Sequence, residues 1–318
     1  MIRRLTGRLL GWTAEPPDPM AALAEAKRRG TRRVILAWNK GLGDIALGIV
    51  GLVVLIRDAL PRAEVVVLTR EDLAEAFTLV PGVDAVHAVP GWRREASRWG
   101  SPTEAVVAAA AAKVGALTEG TLVLPDVRWG PWWAAQVGRF VPRLLWRREW
   151  DALAEPLVGP AGGERRRLAI HVDSETGYFY RYNKNWGSRR WRDLFAMVGA
   201  EAPPRIFLLG KAVGERFALP FVVDLRGRTG LREALAVILS TGVCIAPDSG
   251  LLTFAYFLDV ARPLSLISLW ASAEHGILRY GVDSPNPRLR HAPLVGRGGD
   301  IMTIEVAEVA RSLEGAWV

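Results

Sequence analysis

Ala246-Pro247-Asp248-Ser249-Gly250-Leu251-Leu252 stands between two apolar runs, Val243-Cys244-Ile245 before it and Thr253-Phe254-Ala255-Tyr256-Phe257-Leu258 after it. The first run is short and reads as a buried strand. The second is long enough for a helix, with Asp248 or Ser249 as its N-cap. A strand that runs into a helix beside a glycine leaves the first helical amides uncovered. Together with the positive end of the helix dipole they make a site for an anion. The same seven residues also suit an ordinary capped helix in an α/β sheet, so the rest of the chain has to decide.

Outward from this stretch, strands and helices alternate along the whole chain. After the break Pro16-Pro17-Asp18-Pro19, a short helix (21–29) leads to a strand at 33–38. The glycine stretch Asn39-Lys40-Gly41-Leu42-Gly43-Asp44 follows, then an apolar helix to about residue 60. Two glycines let the backbone turn tightly and a ligand approach closely, although the spacing is neither that of a P-loop nor that of a dinucleotide fingerprint. Further strands are expected at 64–69, 83–89 and 121–124, with helices at 72–79, 103–116 and around Trp132. Pro156, Gly159, Pro160, Gly162 and Gly163, ahead of Glu164-Arg165-Arg166-Arg167, read as a linker. The alternation then restarts with strands at 168–172, 206–209, 221–225, 243–246 and 264–270, and helices at 190–198, 231–239 and 303–314. The expectation is two doubly wound parallel-sheet domains, 1–160 (with 1–30 as an N-terminal extension) and 161–318, facing a central cleft. Ligands in such sheets sit at the carboxyl ends of strands, and both 41–44 and 247–250 lie there.

Composition sets the outer limits. The chain has 318 residues, half of them hydrophobic, which is enough for two domains of about 150 residues each. One cysteine, Cys244, excludes a disulfide framework and reads as a small core residue. A net charge of +8 and a pI near 10.1 suit anionic partners, though a GC-rich genome would give the same arginine bias. The longest apolar run, 45–56, falls short of the about 18–20 residues that span a bilayer. The basic, amphipathic residues 1–12 carry no signal-peptide core; they suit either an anionic membrane face or a helix packed on the protein. The expected location is the cytoplasm, possible peripheral membrane contact included.

In four separated stretches the chain resembles the heptosyltransferase-type glycosyltransferases of family 9, which have the GT-B fold. Gly41-Leu42-Gly43-Asp44-Ile45-Ala46-Leu47 is similar to the family's small-Leu-Gly-Asp entry into its first helix. Lys184-Asn185-Trp186, followed by Trp191 and Leu194, is similar to its Lys-x-Trp-Pro segment, with Gly187 in place of the proline. Asp224-Leu225-Arg226-Gly227-Arg228-Thr229-Gly230-Leu231-Arg232-Glu233 resembles its Leu-x-Gly-Lys-Thr-x-Leu-x-Glu stretch. Pro247-Asp248-Ser249-Gly250-Leu251-Leu252 resembles Asn-Asp-Thr/Ser-Gly-Pro-Met-His; the histidine is missing, and Phe254 lies close to its place. The family's Gly-Pro-Thr-Asp-Pro appears as Ala271-Ser272-Ala273-Glu274-His275.

The resemblance implies an inverting transferase that takes a sugar, heptose from ADP-heptose, to a lipopolysaccharide-like or other surface glycan. Such a reaction needs a base for the acceptor hydroxyl and stabilisation of a diphosphate leaving group. Asp44 occupies the family's base position; a helix N-cap would use the same residue type. On the donor side, Asp248, Ser249 and Gly250 offer amides and a hydroxyl to phosphate, and Lys184 a compact positive charge, unless it is a solvated loop lysine. Glu215 falls near the family's ribose-binding glutamate, Thr229 is a phosphate-side or structural candidate, and His275 is close enough to line the donor pocket. His87, His171 and His291 are scattered singly and read as structural. Gly41 and Gly43 shape the loop near acceptor and diphosphate.

Arg93, Arg94, Arg128 and Trp132, with Trp92, Trp99, Trp129, Trp133, Arg98, Arg139 and Arg143, suit an anionic glycan or glycolipid acceptor; a membrane-contact surface or basic-edged core has the same composition. No Asp-x-Asp occurs, which agrees with metal-independent transfer, and no cofactor is expected. Two other classes remain open: a sugar-nucleotide epimerase of the same fold, and a non-catalytic nucleotide- or nucleic-acid-binding protein. No recognition-helix or zinc-finger motif supports nucleic acid as a partner.

Overall fold

The structure, a computed structural model, describes residues 19–92, 111–112, 115, 120–124, 140–160, 166–176, 178–179, 182–211 and 214–317. The expected helix at 103–116 and the one around Trp132 fall mostly outside these residues, as does the basic segment 1–12. The chain divides into two compact units, Met1–Pro142 and Arg143–Val318.

In the first unit, α1 (Pro19–Arg28) turns Leu23 and Ala26 inward. Strands β1 (Arg33–Trp38), β2 (Glu64–Arg70), β3 (Ala85–Val89) and β4 (Thr121–Leu124) form a wholly parallel sheet in the order β3-β2-β1-β4. Leu36 faces Val67 on one side and Leu124 on the other. Strands buried on both faces need no polar alternation, which is why Val34-Ile35-Leu36-Ala37 and Val65-Val66-Val67-Leu68 are continuous apolar runs. Helix α2 runs from Leu42–Asp44 through a π-helical segment, Ile45–Ile49, into Val50–Ala59. Its buried face is Ile45, Ala46, Ile49, Leu52, Val53 and Ile56, and Pro61 follows its end. Helix α3 (Glu71–Phe77) links β2 to β3.

The second unit begins earlier than the Pro/Gly-rich stretch near 160 suggests. Leu144 bridges to Leu258, and Arg143 pairs with Asp259 at 3.0 Å. A 3-10 turn (Arg148–Leu153) packs through Trp150 on the following helices, and α4 is Glu155–Val158. These contacts are long-range in sequence and leave no trace in local composition.

Six parallel strands follow: β5 (Arg167–His171), β8 (Arg205–Leu209), β9 (Val222–Asp224), β10 (Val243–Pro247), β11 (Leu264–Trp270) and β12 (Leu289–Val295), in the order β12-β11-β10-β5-β8-β9. Strand β12 is the addition to expectation. It is an edge strand with half-exposed residues and a proline, Pro293, so it lacks the apolar signature of its neighbours. A small hairpin, β6 (Tyr178–Phe179) with β7 (Tyr182–Asn183), stands apart from the sheet. Helices α5 (Ser188–Val198), α6 (Leu231–Thr241), α7 (Gly250–Tyr256), α8 (Gly276–Tyr280) and α9 (Val306–Ala316) complete the unit. Its core joins Ile170, Ile245 and Ile267 from the central strands with Trp186, Trp191, Phe195 and Leu313. Cys244 is buried in β10, and burial pushes its thiol up to about 12, as suits an inert core residue.

Candidate functional site

In an open parallel sheet the crevice that takes ligands lies where the strand order reverses, at the carboxyl ends. In the second unit that point lies between β5 and β10, which pair through Ala169–Cys244 and Ile170–Ile245. The residues that leave those ends are His171-Val172-Asp173-Ser174 and Asp248-Ser249. In the first unit it lies between β1 and β4, and β1 runs straight into Asn39-Lys40-Gly41.

Ser249 is the N-cap of α7, its Oγ accepting from the Leu252 amide at 3.2 Å; Asp248 is not. The Asp248 carboxylate instead meets Lys184 Nζ at 2.7 Å and accepts from the Tyr182 hydroxyl at 3.1 Å. Both ends of the ion pair are nearly enclosed, with side chains 13% and 10% exposed for Lys184 and Asp248. His275 stacks on the Tyr182 ring with centroids 4.2 Å apart and planes 11° off parallel. Burial lowers the His275 pKa, Asp248 opposes that, and Lys184 adds to it. Four residues from three segments thus form one cluster.

Its support explains the local sequence. Asn185 clamps the base of the 174–185 excursion, accepting from the Ser174 amide at 2.8 Å and donating to the Ser174 carbonyl at 3.3 Å. Trp186 is fully buried and donates to the Ile304 carbonyl at 3.0 Å, which anchors the chain just beyond Lys184. Gly187 then caps α5 at φ +88°, a value closed to proline, whose ring holds φ near −65°. The replacement of the motif's proline therefore follows from the turn. Gly276 sits at φ +50°, and a Cβ there would lie 2.9 Å from the Trp270 ring and 3.3 Å from Asp248 Oδ1, so only glycine lets this loop lie so close. A depression of about 360 Å³ beside His275 is lined by Ala273, Glu274, Leu278 and Arg279.

The other donor-side candidates, Glu215 and Thr229, are not part of this cluster. Glu215 is exposed and ion-paired with Arg192, and its carbonyl accepts from Arg226 Nη2 at 2.7 Å. Thr229 precedes Gly230, the N-cap of α6, a helix that packs on β5 and β10. Arg226 is buried beneath, bound to Asp224 through Nε (2.9 Å) and Nη2 (2.7 Å), which lowers the Asp224 pKa. Phe254, near the missing histidine's place, is fully enclosed in the core.

In the first unit, Gly41 is the N-cap of α2 and Asp44 the third helical residue, so Asp44 is not an N-cap. Its carboxylate folds back over Gly41, where a Cβ would come within 2.6 Å of Oδ2. Trp38 Nε1 donates to the Gly41 carbonyl at 3.3 Å, and the π segment begins at Ile45, the residue after Asp44. Such π turns are frequent at functional sites. Gly43 lies in the first helical turn. Of the acceptor candidates, Arg93, Arg94, Arg128 and Trp132 lie outside the described residues, together with Arg98, Trp99, Trp129, Trp133 and Arg139. Trp92 is half-buried against the core of the first unit, and Arg143 faces Asp259.

Sequence reasoning did not single out Tyr182, and it read His171 as structural only. Tyr182 and Lys184 are two apart in an extended segment and so share a face, a signal that was available. His171 carried no signal of its own, because its partner, Ser249, is 78 residues away. The histidine is buried, its Nδ1 lies 3.0 Å from Ser249 Oγ, and burial lowers its pKa to about 4. Among the described residues no helix is long and apolar enough to cross a membrane.

No protein-family model matches the chain, and no curated protein matches it in sequence. Solved structures do match it. The E. coli ADP-heptose lipopolysaccharide heptosyltransferase II is 16% identical, with a TM-score of 0.59 over 89% of this chain and 98% of that one. A family 9 glycosyl transferase from Veillonella parvula is 12% identical, with a TM-score of 0.60 over 90% of this chain and 97% of that one. The E. coli heptosyltransferase WaaC, solved with ADP, is 17% identical, with a TM-score of 0.51 over 89% of this chain and 99% of that one. The two parallel-sheet units of this chain thus have the GT-B fold that those heptosyltransferase and family 9 glycosyltransferase structures share.

Proposed function

We propose that this protein is a cytoplasmic, inverting glycosyltransferase. It moves a sugar from a nucleoside diphosphate donor, heptose from ADP-heptose, onto an anionic surface glycan of the lipopolysaccharide kind, without a metal. The observation that carries this reading is the nearly enclosed Lys184–Asp248 pair, set beside the start of α7 where the strand order reverses. Lys184 and the first amides of α7 face the diphosphate and neutralise it as it leaves. Asp248, being an anion, does not bind phosphate; it aims Lys184 and Tyr182. Thr229, Glu215 and His275 belong to the donor side, and Gly41 and Gly43 let substrate approach. Asp44 takes the proton from the acceptor hydroxyl. The oxygen then bonds to the anomeric carbon as the bond to the diphosphate breaks, inverting that centre. The fold shared with heptosyltransferases, among them one solved with ADP-2-deoxy-2-fluoro heptose, supports the donor class.

A thermal-shift panel of nucleotide sugars tests the donor. A ligand at a hundred times its Kd stabilises the folded chain by about 2.7 kcal/mol. ADP-linked sugars are expected to give the largest shift, and a panel with no shift overturns the reading. Asp44→Ala is expected to lower transfer by about 10²–10⁴-fold with donor binding retained. Turnover of donor with no acceptor present would instead indicate an epimerase.

A further inference from the structure

His171 ends β5 and Ser249 follows β10, so their side chains meet across the two strands between which the sheet reverses its order. Ser249 Oγ already accepts the Leu252 amide proton. A serine hydroxyl has a single proton and two lone pairs. If His171 Nδ1 carried the ring proton, Oγ would accept twice and keep its own proton for a ligand. If Nδ1 is bare, the hydroxyl proton goes to it. Burial decides: Ser249 is buried, and among the described residues His171 Nδ1 is the acceptor within reach of its hydroxyl proton. A buried hydroxyl proton without an acceptor costs free energy, so the geometry favours a bare Nδ1 and the ring proton on Nε2. The Ser249 hydroxyl is then fully engaged inside the protein.

Resting on the donor-site reading above, we propose that His171 is a positioning residue: it holds Ser249 by the hydroxyl proton, so that Ser249 serves the ligand through its backbone and through Asp248, not through its hydroxyl. The contacts close a circuit. From His171 the chain leaves β5, is clamped at Ser174 by Asn185, and presents Tyr182 and Lys184 to Asp248. Asp248 leads to Ser249, and Ser249 returns to His171 at 3.0 Å. Loss of the acceptor at His171 frees the cap and with it the placement of Asp248 and Lys184.

Two measurements on the full chain test this. Imidazole ¹⁵N NMR at pH 7 is expected to show His171 neutral with its proton on Nε2; a proton on Nδ1, or an imidazolium, overturns the proposal whatever the ligand. Affinity for ADP is then compared among variants. His171→Leu and Ser249→Ala are each expected to weaken it by about tenfold, the scale of lost supporting contacts around a site. The double variant is expected to be no weaker than the worse single one. His171→Asn, whose amide oxygen sits near the place of Nδ1, is expected to bind nearly as the unaltered chain does, and it also covers the case in which His171→Leu does not fold. Additive losses, or an unaffected His171→Leu, overturn the proposal. Failure of the unaltered chain to bind any nucleoside diphosphate removes the donor reading instead, and the NMR result still judges His171.

Discussion

The Lys184–Asp248 ion pair lies where water barely reaches, and this decides how each can be altered. Removing one partner of a nearly buried pair leaves an uncompensated charge, which costs about 3 kcal/mol or more. Lys184→Met is therefore expected to lower stability by about 3 kcal/mol in urea unfolding. Adding Asp248→Asn to it should restore much of the stability and none of the donor binding. Recovery of both together would mean that the pair is only structural. A second case at this scale is Cys244, whose burial and raised pKa leave almost no thiolate. Its labelling by a thiol reagent is expected to follow global unfolding, and fast labelling of the native chain would contradict its placement in β10.

At the scale of elements, the start of α2 is where local backbone and proposed chemistry meet. Gly41 has an ordinary φ of −72°, so alanine there suffers no backbone strain. Its Cβ would, however, take the place of the Asp44 carboxylate. Gly41→Ala is expected to lower stability by no more than about 1 kcal/mol, since alanine is a poorer N-cap than glycine, while cutting turnover sharply as Asp44 is displaced. Gly276→Ala differs, because its positive φ and the Trp270 ring oppose a side chain together. A stability loss of about 1–3 kcal/mol is expected. The two glycines share no property visible in sequence, yet their substitutions should separate cleanly in a thermal melt.

Across the whole molecule, one buried and one half-buried histidine tie stability to pH. Burial lowers both His171 and His291 to about 4, whereas an unfolded chain titrates near the usual 6.5. Between those values the unfolded state binds more protons, so stability rises with pH through this window and is lost as pH falls through it. The melting temperature is expected to drop between about pH 6.5 and 4, and His291→Gln should flatten that slope.

The α/β alternation, the central strands and the helix capped by Ser249 were all legible in the sequence, because each depends on neighbours in the chain. Apolar runs of strand length, a glycine, and a cap ahead of a hydrophobic stretch carry their meaning locally, and the order of four short motifs pointed to the fold. Tertiary structure alone decided the rest. The edge strand β12 has no apolar run to announce it, and the 143–158 segment joins the second unit through contacts with residues more than a hundred positions away. It assigned Asp248 to Lys184 and Tyr182 rather than to a helix cap, and it set His171 against Ser249. Local pattern reports which backbone a residue will adopt. The partner of a buried polar group is set by which strands lie side by side, and that order is a property of the folded sheet.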